Sequence, residues 1–272
     1  MNEINHHELE ELTSEILKIS YQAGEQILEI YETDFSVDNK KDNSPLTAAD
    51  MAAHNTICEQ LIKLTPSIPI LSEESSHISF NDRQNWSQYW LVDPLDGTRE
   101  FIKRNGEFSV NIALIEGNSS IMGVIHIPVT GISYTASINN GAYKHEANGD
   151  KTQISVRQTN ADKITVAGSR SHGNERLKDF LARLTNPEVL SVGSSLKFCL
   201  VAEGTADIYP RLGPTSEWDT AAAQAIVEEA GGMVIDTNYK RLEYNTKKSL
   251  LNPEFLVIAD RQFDWSRYLE NE

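Results

Sequence analysis

The hydrophobic pattern of this chain changes near residue 160, and the two patterns together limit the folds open to it. After residue 160, short apolar strands alternate with helices, which is typical of a layered α/β arrangement. The predicted strands are 164–167, 189–192, 206–209, 233–235 and 255–259, and the predicted helices are 175–184, 195–203 and 220–230. We therefore expect an α/β domain over residues 161–272.

The first 160 residues combine helices with a continuous β region, which predicts an α+β domain. An amphipathic helix is predicted from apolar residues that recur every three or four positions, at Leu9, Leu12, Ile16, Ile19, Ala23, Ile27 and Ile30. A second helix is expected to begin near Thr47. Short strands follow at 68–71 and 89–92, and residues 109–156 read as β structure with a hairpin turn at 116–120.

Charge and cysteine content exclude several classes of function. The formal net charge of −16 over 272 residues opposes binding to nucleic-acid polymers and to anionic membranes. We find no apolar run long enough to span a bilayer and no signal peptide. Cys58 and Cys199 lie in apolar helical contexts, so we expect two free thiols in the core of a cytosolic protein. A small phosphorylated substrate stays possible, because bound metal ions can reverse the local potential.

The strongest chemical signal is the segment 90–98, WLVDPLDGT, which follows an apolar run. Asp93 and Asp96 stand three residues apart on a stretch that Pro94 stiffens, and hard divalent cations prefer such oxygen ligands. Gly97 and Thr98 offer backbone amides and a hydroxyl that suit a phosphate oxygen. An ordinary turn is the alternative, since Asp-Pro and Asp-Gly are common turn formers.

Three further acids stand where elements begin or end, and each has a simple structural alternative. Glu73 follows a predicted strand but could be a solvated loop residue. Asp50 fits a capping box with Thr47, and Asp219 could cap the helix that follows it. Taken together, several carboxylates without a His or Cys ligand set favour Mg²⁺ over Zn²⁺. Pairs of such ions activate water for phosphoryl transfer, and no phosphate loop, HExxH or GxSxG motif competes with this interpretation.

These features make the chain resemble the Mg²⁺-dependent, lithium-sensitive phosphatase superfamily that includes inositol monophosphatase. The segments 93–98 (DPLDGT) and 218–222 (WDTAA) match its two signatures, and 44–50 (SPLTAAD) and Glu73 match two more segments in the expected order. Longer segments are similar to the bacterial 3′(2′),5′-bisphosphate nucleotidases within the superfamily, and these are 92–108, 193–204 and 209–214. The resemblance implies a layered αβαβα sandwich of the inositol monophosphatase and fructose-1,6-bisphosphatase type.

The resemblance also implies a role for each matching residue. It assigns Mg²⁺ binding, at two or three ions per site, to Glu73, Asp93, the Leu95 carbonyl, Asp96 and Asp219. It assigns activation and orientation of the attacking water to Asp50, Glu74 and Thr98. Among these metal ligands, substrate contacts are also expected from Glu73, Leu95, Asp96 and Asp219. The other expected substrate contacts are Gly97, Thr98, His172, Ser194, Lys197 and Arg211. Arg99 stands where close relatives have lysine, so the charge is kept.

The substrate contacts have alternatives of their own. Lys197 and Arg211 are most simply solvated surface charges, His172 a loop or helix-cap residue, and Ser194 the cap of the helix that begins there.

The activity that the resemblance implies is removal of the 3′-phosphate of adenosine 3′,5′-bisphosphate, a by-product of sulfate assimilation, to give AMP and phosphate. The 2′,5′-bisphosphate and the sulfated nucleotide are further candidate substrates. The alternatives are an inositol monophosphatase or sugar phosphatase, and a nucleotide-binding sensor without turnover. The resemblance implies a cytoplasmic enzyme. Some relatives are described as peripheral on the cytoplasmic face of the inner membrane, which the acidic charge balance does not favour.

Overall fold

The structure, a computed structural model, describes residues 6–33, 45–75, 77–168 and 175–268. Within these ranges the helices are α1 His6–Tyr31, α2 Pro45–Leu64, α3 Phe80–Arg83, α4 Thr98–Ile102, α5 Glu175–Arg183, α6 Leu196–Ala202 and α7 Ala221–Glu229. Short 3-10 helices lie at Glu73–Ser75, Glu217–Asp219 and Ser266–Tyr268.

The strands of the described residues form two sheets, one from each of the two halves that the sequence predicted. The first sheet has seven strands in chain order, namely β1 Ile70–Ser72, β2 Gln88–Asp96, β3 Ser109–Glu116, β4 Ser119–Ile127, β5 Ile132–Ser137, β6 Gly141–His145 and β7 Lys151–Ile154. The second sheet has the order β11-β12-β10-β8-β9. Its strands are β8 Thr165–Gly168, β9 Glu188–Ser191, β10 Ile208–Arg211, β11 Met233–Asp236 and β12 Phe255–Ile258.

Helices and sheets alternate as five layers. The apolar faces of α1 and α2 pack on one side of the first sheet, where Ile16, Ile27 and Ile57 are fully buried. Helices α6 and α7 lie between the two sheets, and α5 covers the outer side of the second sheet through Phe180. This is the αβαβα sandwich expected of the chain, and the fold-class prediction is confirmed. The division near residue 160 stays a prediction, although the described β7 and β8 lie on either side of it.

Helix α7 sits unusually close to the first sheet because both surfaces carry small residues. A methyl group placed on Gly123 of β4 would lie 2.0 Å from the Ala222 carbonyl oxygen, well inside van der Waals contact. Ala221, Ala222, Ala223 and Ala225 are all buried along α7. This close contact fixes the start of α7, and with it the 3-10 helix Glu217–Asp219, against the sheet.

Two local predictions need correction. The second helix begins at Pro45, not near Thr47, because proline suits the first turn of a helix. Thr47 therefore lies inside α2, so the capping box with Asp50 is wrong. Cys58 is only partly buried, whereas Cys199 is in the core as expected, and both thiols are free. None of the helices in the described ranges is both long and apolar enough to cross a bilayer.

Candidate active site

Parallel pairing of β1 and β2 brings two of the predicted acids together. Ser72 pairs with Val92, so both strands deliver their next residue to the same edge of the sheet. Glu73 begins the 3-10 helix after β1, and Asp93 is the next residue of β2. Glu73 is partly buried beside the side chains of Asp93 and Trp218, which rules out a solvated loop residue.

The segment 93–96 lies within strand β2, where the sequence had suggested a turn after a shorter strand. Asp93 pairs with Asn111 and Asp96 with Ser109, so one extra residue of β2 forms a β-bulge. A bulge accommodates Pro94, which has no N–H to give to the sheet. The Leu95 amide donates to Asp93 Oδ1 at 3.1 Å, which fixes that carboxylate inside the bulge.

Gly97 ends the bulged strand and begins α4 with φ of +94°, a conformation that favours glycine. A side chain there would lie 3.0 Å from the Glu107 carbonyl oxygen and 3.1 Å from Ser194 Cβ. Thr98 is therefore held as the first residue of α4, beside the end of the bulge. This placement is compatible with the predicted role of Thr98, which stays a prediction.

Asp219 comes from the other half of the chain. It is the last residue of the 3-10 helix before α7 and accepts a hydrogen bond from the Ser216 amide at 2.9 Å, as half of a capping box. The N-cap residue of α7 is Thr220, so the alternative that Asp219 caps the helix that follows it is wrong. The hydrogen bond from Ser216 belongs to the 3-10 helix instead. It does not compete with a second role, because a carboxylate has lone pairs left for another ligand.

Asp93, Asp96 and Asp219 each offer a carboxylate oxygen, and these oxygens lie within 4.8 Å of one another. We call these three residues, with Asp50 and Glu73, the acidic cluster. Burial and the neighbouring negative charges raise the pKa of Asp93 well above its usual value, and raise the pKa values of Glu73 and Asp219 to about 7. Such a buried group of like charges needs protons or cations to be stable.

Asp50 reaches the cluster from α2. Asp50 is 8% exposed, and its carboxylate lies beside Glu74. Burial, followed by the charges of Glu74 and Glu73, raises the pKa of Asp50 to about 8. Its Oδ1 atom is buried and has no hydrogen-bond partner among the described residues.

The cluster fits Mg²⁺ on the chemistry of its donors. Every donor in it is a carboxylate oxygen, and small hard cations prefer such ligands. The unsatisfied Oδ1 of Asp50 is an acceptor that a bound cation or its water would satisfy. The identity and the number of metal ions stay predictions.

A pocket of about 130 Å³ opens directly beside the acidic cluster. It is lined by Asp96, Gly97, Asp219, Ser194, Lys197 and Arg211, together with Tyr209 and Thr215. Two of the predicted metal ligands, Asp96 and Asp219, thus line the same pocket as four further predicted substrate contacts, which are Gly97, Ser194, Lys197 and Arg211. We call Ser194, Lys197, Tyr209 and Arg211 the cationic pocket.

Lys197 is not a solvated surface charge, so that alternative is wrong. The residue is 5% exposed, and its Nζ donates to the Ser194 carbonyl at 2.6 Å and lies 5.4 Å from the centre of the Tyr209 ring. Burial lowers the pKa of Lys197 to about 8, against the opposing charge of Asp96. A buried lysine of this kind is stabilised by an anion that shares its pocket.

Arg211 is partly buried at the end of β10. Its Nη2 donates to the Pro214 carbonyl at 2.9 Å, while its Nε is buried without a hydrogen-bond partner among the described residues. The alternative of a fully solvated charge is therefore wrong here as well. An unsatisfied guanidinium donor beside a buried lysine suits a phosphate group.

Ser194 does not cap α6, contrary to the structural alternative for it. Ser195 is the N-cap residue, and Ser194 adopts a φ of +49° in the turn before it. The Gly193 amide, which precedes this turn, donates to Glu107 Oε2 at 2.8 Å. The turn is thereby held against the loop that follows α4, which explains why segments 92–108 and 193–204 both belong to the site.

Sequence reasoning missed several residues of the site. Ser109, Asn111 and Ser195 form a buried hydrogen-bond network with Ser194 around Asp96. A polar Asn111 between Val110 and Ile112 in an apolar strand was the available signal for it. Glu107, Tyr209 and Thr215 had no comparable signal. His172 lies outside the described residues.

Comparisons with known proteins agree with this geometry. The sequence profile described as "Inositol monophosphatase family" matches residues 8–265. The 3′(2′),5′-bisphosphate nucleotidase CysQ of Escherichia coli K12 is 47% identical over 248 residues, which cover 90% of this chain and 99% of that protein. The protein of the same name from Haemophilus influenzae is 40% identical, covering 94% of this chain and 96% of its own.

Solved structures show the same fold. The crystal structure of CysQ from Bacteroides thetaiotaomicron, a bacterial member of the inositol monophosphatase family, matches with a TM-score of 0.85 and 41% identity, covering 93% of this chain and 98% of that one. An inositol monophosphatase from Zymomonas mobilis matches with a TM-score of 0.73 at 22% identity, covering 91% and 94%, which supports the fold alone.

Proposed function

The chain belongs to the inositol monophosphatase family, and we propose that it is a Mg²⁺-dependent phosphatase that removes the 3′-phosphate of adenosine 3′,5′-bisphosphate. The products are AMP and orthophosphate. The observation that carries this proposal is the contact between two regions of opposite charge. The cationic pocket opens onto Asp96 and Asp219 of the acidic cluster, so one ligand with two phosphates can reach both.

The acidic cluster would hold the metal ions through Glu73, Asp93, Asp96, Asp219 and the Leu95 carbonyl. When bound, Mg²⁺ lowers the pKa of water and stabilises negative charge on a phosphoryl group. Asp50 and Glu74 lie side by side at the edge of this cluster and have carboxylate oxygens to accept a proton from water. The hydroxyl of Thr98 orients the same water, and the amides of Gly97 and Thr98 donate to the phosphoryl oxygens.

The cationic pocket would bind the phosphate that is not cleaved. Lys197 and Arg211 supply charge, and the Ser194 hydroxyl supplies a neutral donor. His172 is proposed to lie near the adenine, as the family resemblance implies. This second anchor distinguishes a bisphosphate from inositol 1-phosphate, which has nothing to place on Lys197 and Arg211.

A substrate panel tests the proposal. We expect kcat/KM for adenosine 3′,5′-bisphosphate to exceed the values for inositol 1-phosphate and fructose 1,6-bisphosphate, and phosphate release to stop in EDTA. A higher value for inositol 1-phosphate would identify an inositol monophosphatase instead. Tight binding of the nucleotide with no phosphate release in Mg²⁺ would identify a sensor without turnover. Lithium is expected to inhibit release by competing with Mg²⁺.

A further inference from the structure

Two hydroxyl groups hold one oxygen of Asp96. Ser194 Oγ donates to Asp96 Oδ2 at 2.6 Å, and Ser195 Oγ donates to the same atom at 2.8 Å. Both serines precede α6, almost a hundred residues along the chain from Asp96. A carboxylate with one oxygen held twice cannot rotate freely, so its other oxygen has a fixed position as well.

The direction of the Ser195 hydrogen bond is set by a neighbour on β3. Asn111 Nδ2 donates to Ser195 Oγ at 2.8 Å, so that oxygen already accepts a proton from Asn111. The single proton of Ser195 is then free to point at Asp96, since its other acceptor, the Asp219 carbonyl, lies farther away at 3.3 Å. Ser195 and Asn111 are each 1% exposed, which keeps water from competing for these bonds.

Asn111 is oriented in turn by Ser109. The Ser109 hydroxyl donates to Asn111 Oδ1 at 2.9 Å, an arrangement in which Asn111 Nδ2 faces Ser195. The network thus runs from Ser109 and Asn111 of β3 through Ser195 to the Asp96 carboxylate at the bulge of β2. Ser109, Asn111 and Ser195 are all buried, and their side chains are uncharged.

We propose that Ser195, oriented by Asn111, is a positioning residue that fixes Asp96 for metal binding. This inference rests on the proposed function, because it takes Asp96 to be a metal ligand. Hydrogen bonds to a metal ligand set its orientation, and removing such a partner typically weakens metal binding about 10- to 100-fold. Ser194 contributes less to this role, because it also faces the cationic pocket and shares its single proton with Ser109 and with any anion bound there.

The test is direct titration of the metal-free protein with Mn²⁺, followed by calorimetry or by the electron paramagnetic resonance signal of free Mn²⁺. We expect Ser195→Ala to weaken Mn²⁺ binding about tenfold. Asn111→Ala should weaken it less, and the double variant should be no weaker than Ser195→Ala alone, because the two residues act in series. The matched control is Ser133→Ala, which removes a fully buried serine that hydrogen-bonds His126 on β4.

Activity provides a second readout that a purely structural role would not move. In Ser195→Ala the Mg²⁺ concentration for half-maximal rate should rise about tenfold, whereas Ser133→Ala should leave that concentration unchanged. Mn²⁺ binding by Ser195→Ala that equals wild-type binding, or an equal loss in Ser133→Ala, would overturn the inference. If Ser195→Ala does not fold, Asn111→Ala alone must show the weaker binding or the inference is wrong. Failure of the wild type to bind Mn²⁺ at all would overturn the proposed function itself.

Discussion

The acidic cluster and the cationic pocket lie side by side, but the first buries carboxylates and the second buries a lysine. In the cluster, burial and mutual repulsion raise the pKa of Asp50 to about 8 and the pKa values of Glu73 and Asp219 to about 7. In the pocket, burial lowers the pKa of Lys197 to about 8. A buried group of like charges is stabilised by charge of the opposite sign, so the acidic cluster favours cations and the cationic pocket favours an anion. Because the two regions share a wall at Asp96, the proposed bisphosphate substrate would bring one phosphate to each region, with metal ions in the cluster.

Removing one carboxylate at the shared wall should have the largest effect. We expect Asp96→Asn to lower kcat/KM by on the order of 10³-fold or more, because metal ions stabilise the transition state by several kcal/mol. The fold should be retained, since asparagine can keep the hydrogen bonds from Ser194 and Ser195. Steady-state rates with far-ultraviolet circular dichroism check both parts. Full activity in the purified variant would contradict the metal assignment.

Removing the buried lysine should have a smaller and selective effect. We expect Lys197→Ala to lower kcat/KM for adenosine 3′,5′-bisphosphate about 10- to 100-fold, since a hydrogen bond to a charged group contributes roughly 1.5–3 kcal/mol. Hydrolysis of inositol 1-phosphate, which leaves the pocket empty, serves as the internal control. A similar loss for both substrates would show that the two regions do not bind different phosphates.

The charge on Lys197 also predicts a pH dependence. Lys197 is protonated below its pKa of about 8 and loses its charge above it, so anion binding in the pocket should weaken as pH rises. The ratio of kcat/KM for the bisphosphate to that for inositol 1-phosphate should therefore fall above pH 8. Titration of the substrate phosphates, near pH 6, does not interfere in this range. A ratio that stays constant up to pH 10 would contradict a neutralised lysine.

The smallest expected effect is on the stability of the metal-free protein. The pKa of Asp50 is raised from 3.8 to about 8, so the folded state holds a proton that the unfolded state releases. Stability should then fall as pH rises from about 4 to about 8. In EDTA, Asp50→Asn should melt at a higher temperature than the wild type at pH 8 and at a similar one near pH 4. A lower melting temperature of the variant at pH 8 would show that the carboxylate is not repelled there.

The sequence predicted most of the acidic cluster and less of the cationic pocket. The acids stand at strand ends, and periodicity located those ends to within a few residues, as at β1 and β2. The bulge at Pro94 was missed because it depends on pairing with β3. The burial of Lys197 was missed as well, because it depends on Tyr209 and on a turn at Ser194 from distant parts of the chain. The network of Ser109, Asn111 and Ser195 was predictable only in part, because its one signal in the sequence was Asn111, a polar residue within an apolar strand.

The account is tested most directly by a crystal structure of the protein with Mn²⁺ and AMP, using the anomalous signal of manganese. We predict manganese peaks within bonding distance of Asp93, Asp96 and Asp219, and the 5′-phosphate of AMP on Lys197 and Arg211. Manganese absent from the acidic cluster, or the AMP phosphate bound away from the cationic pocket, would contradict the division of roles between the two regions.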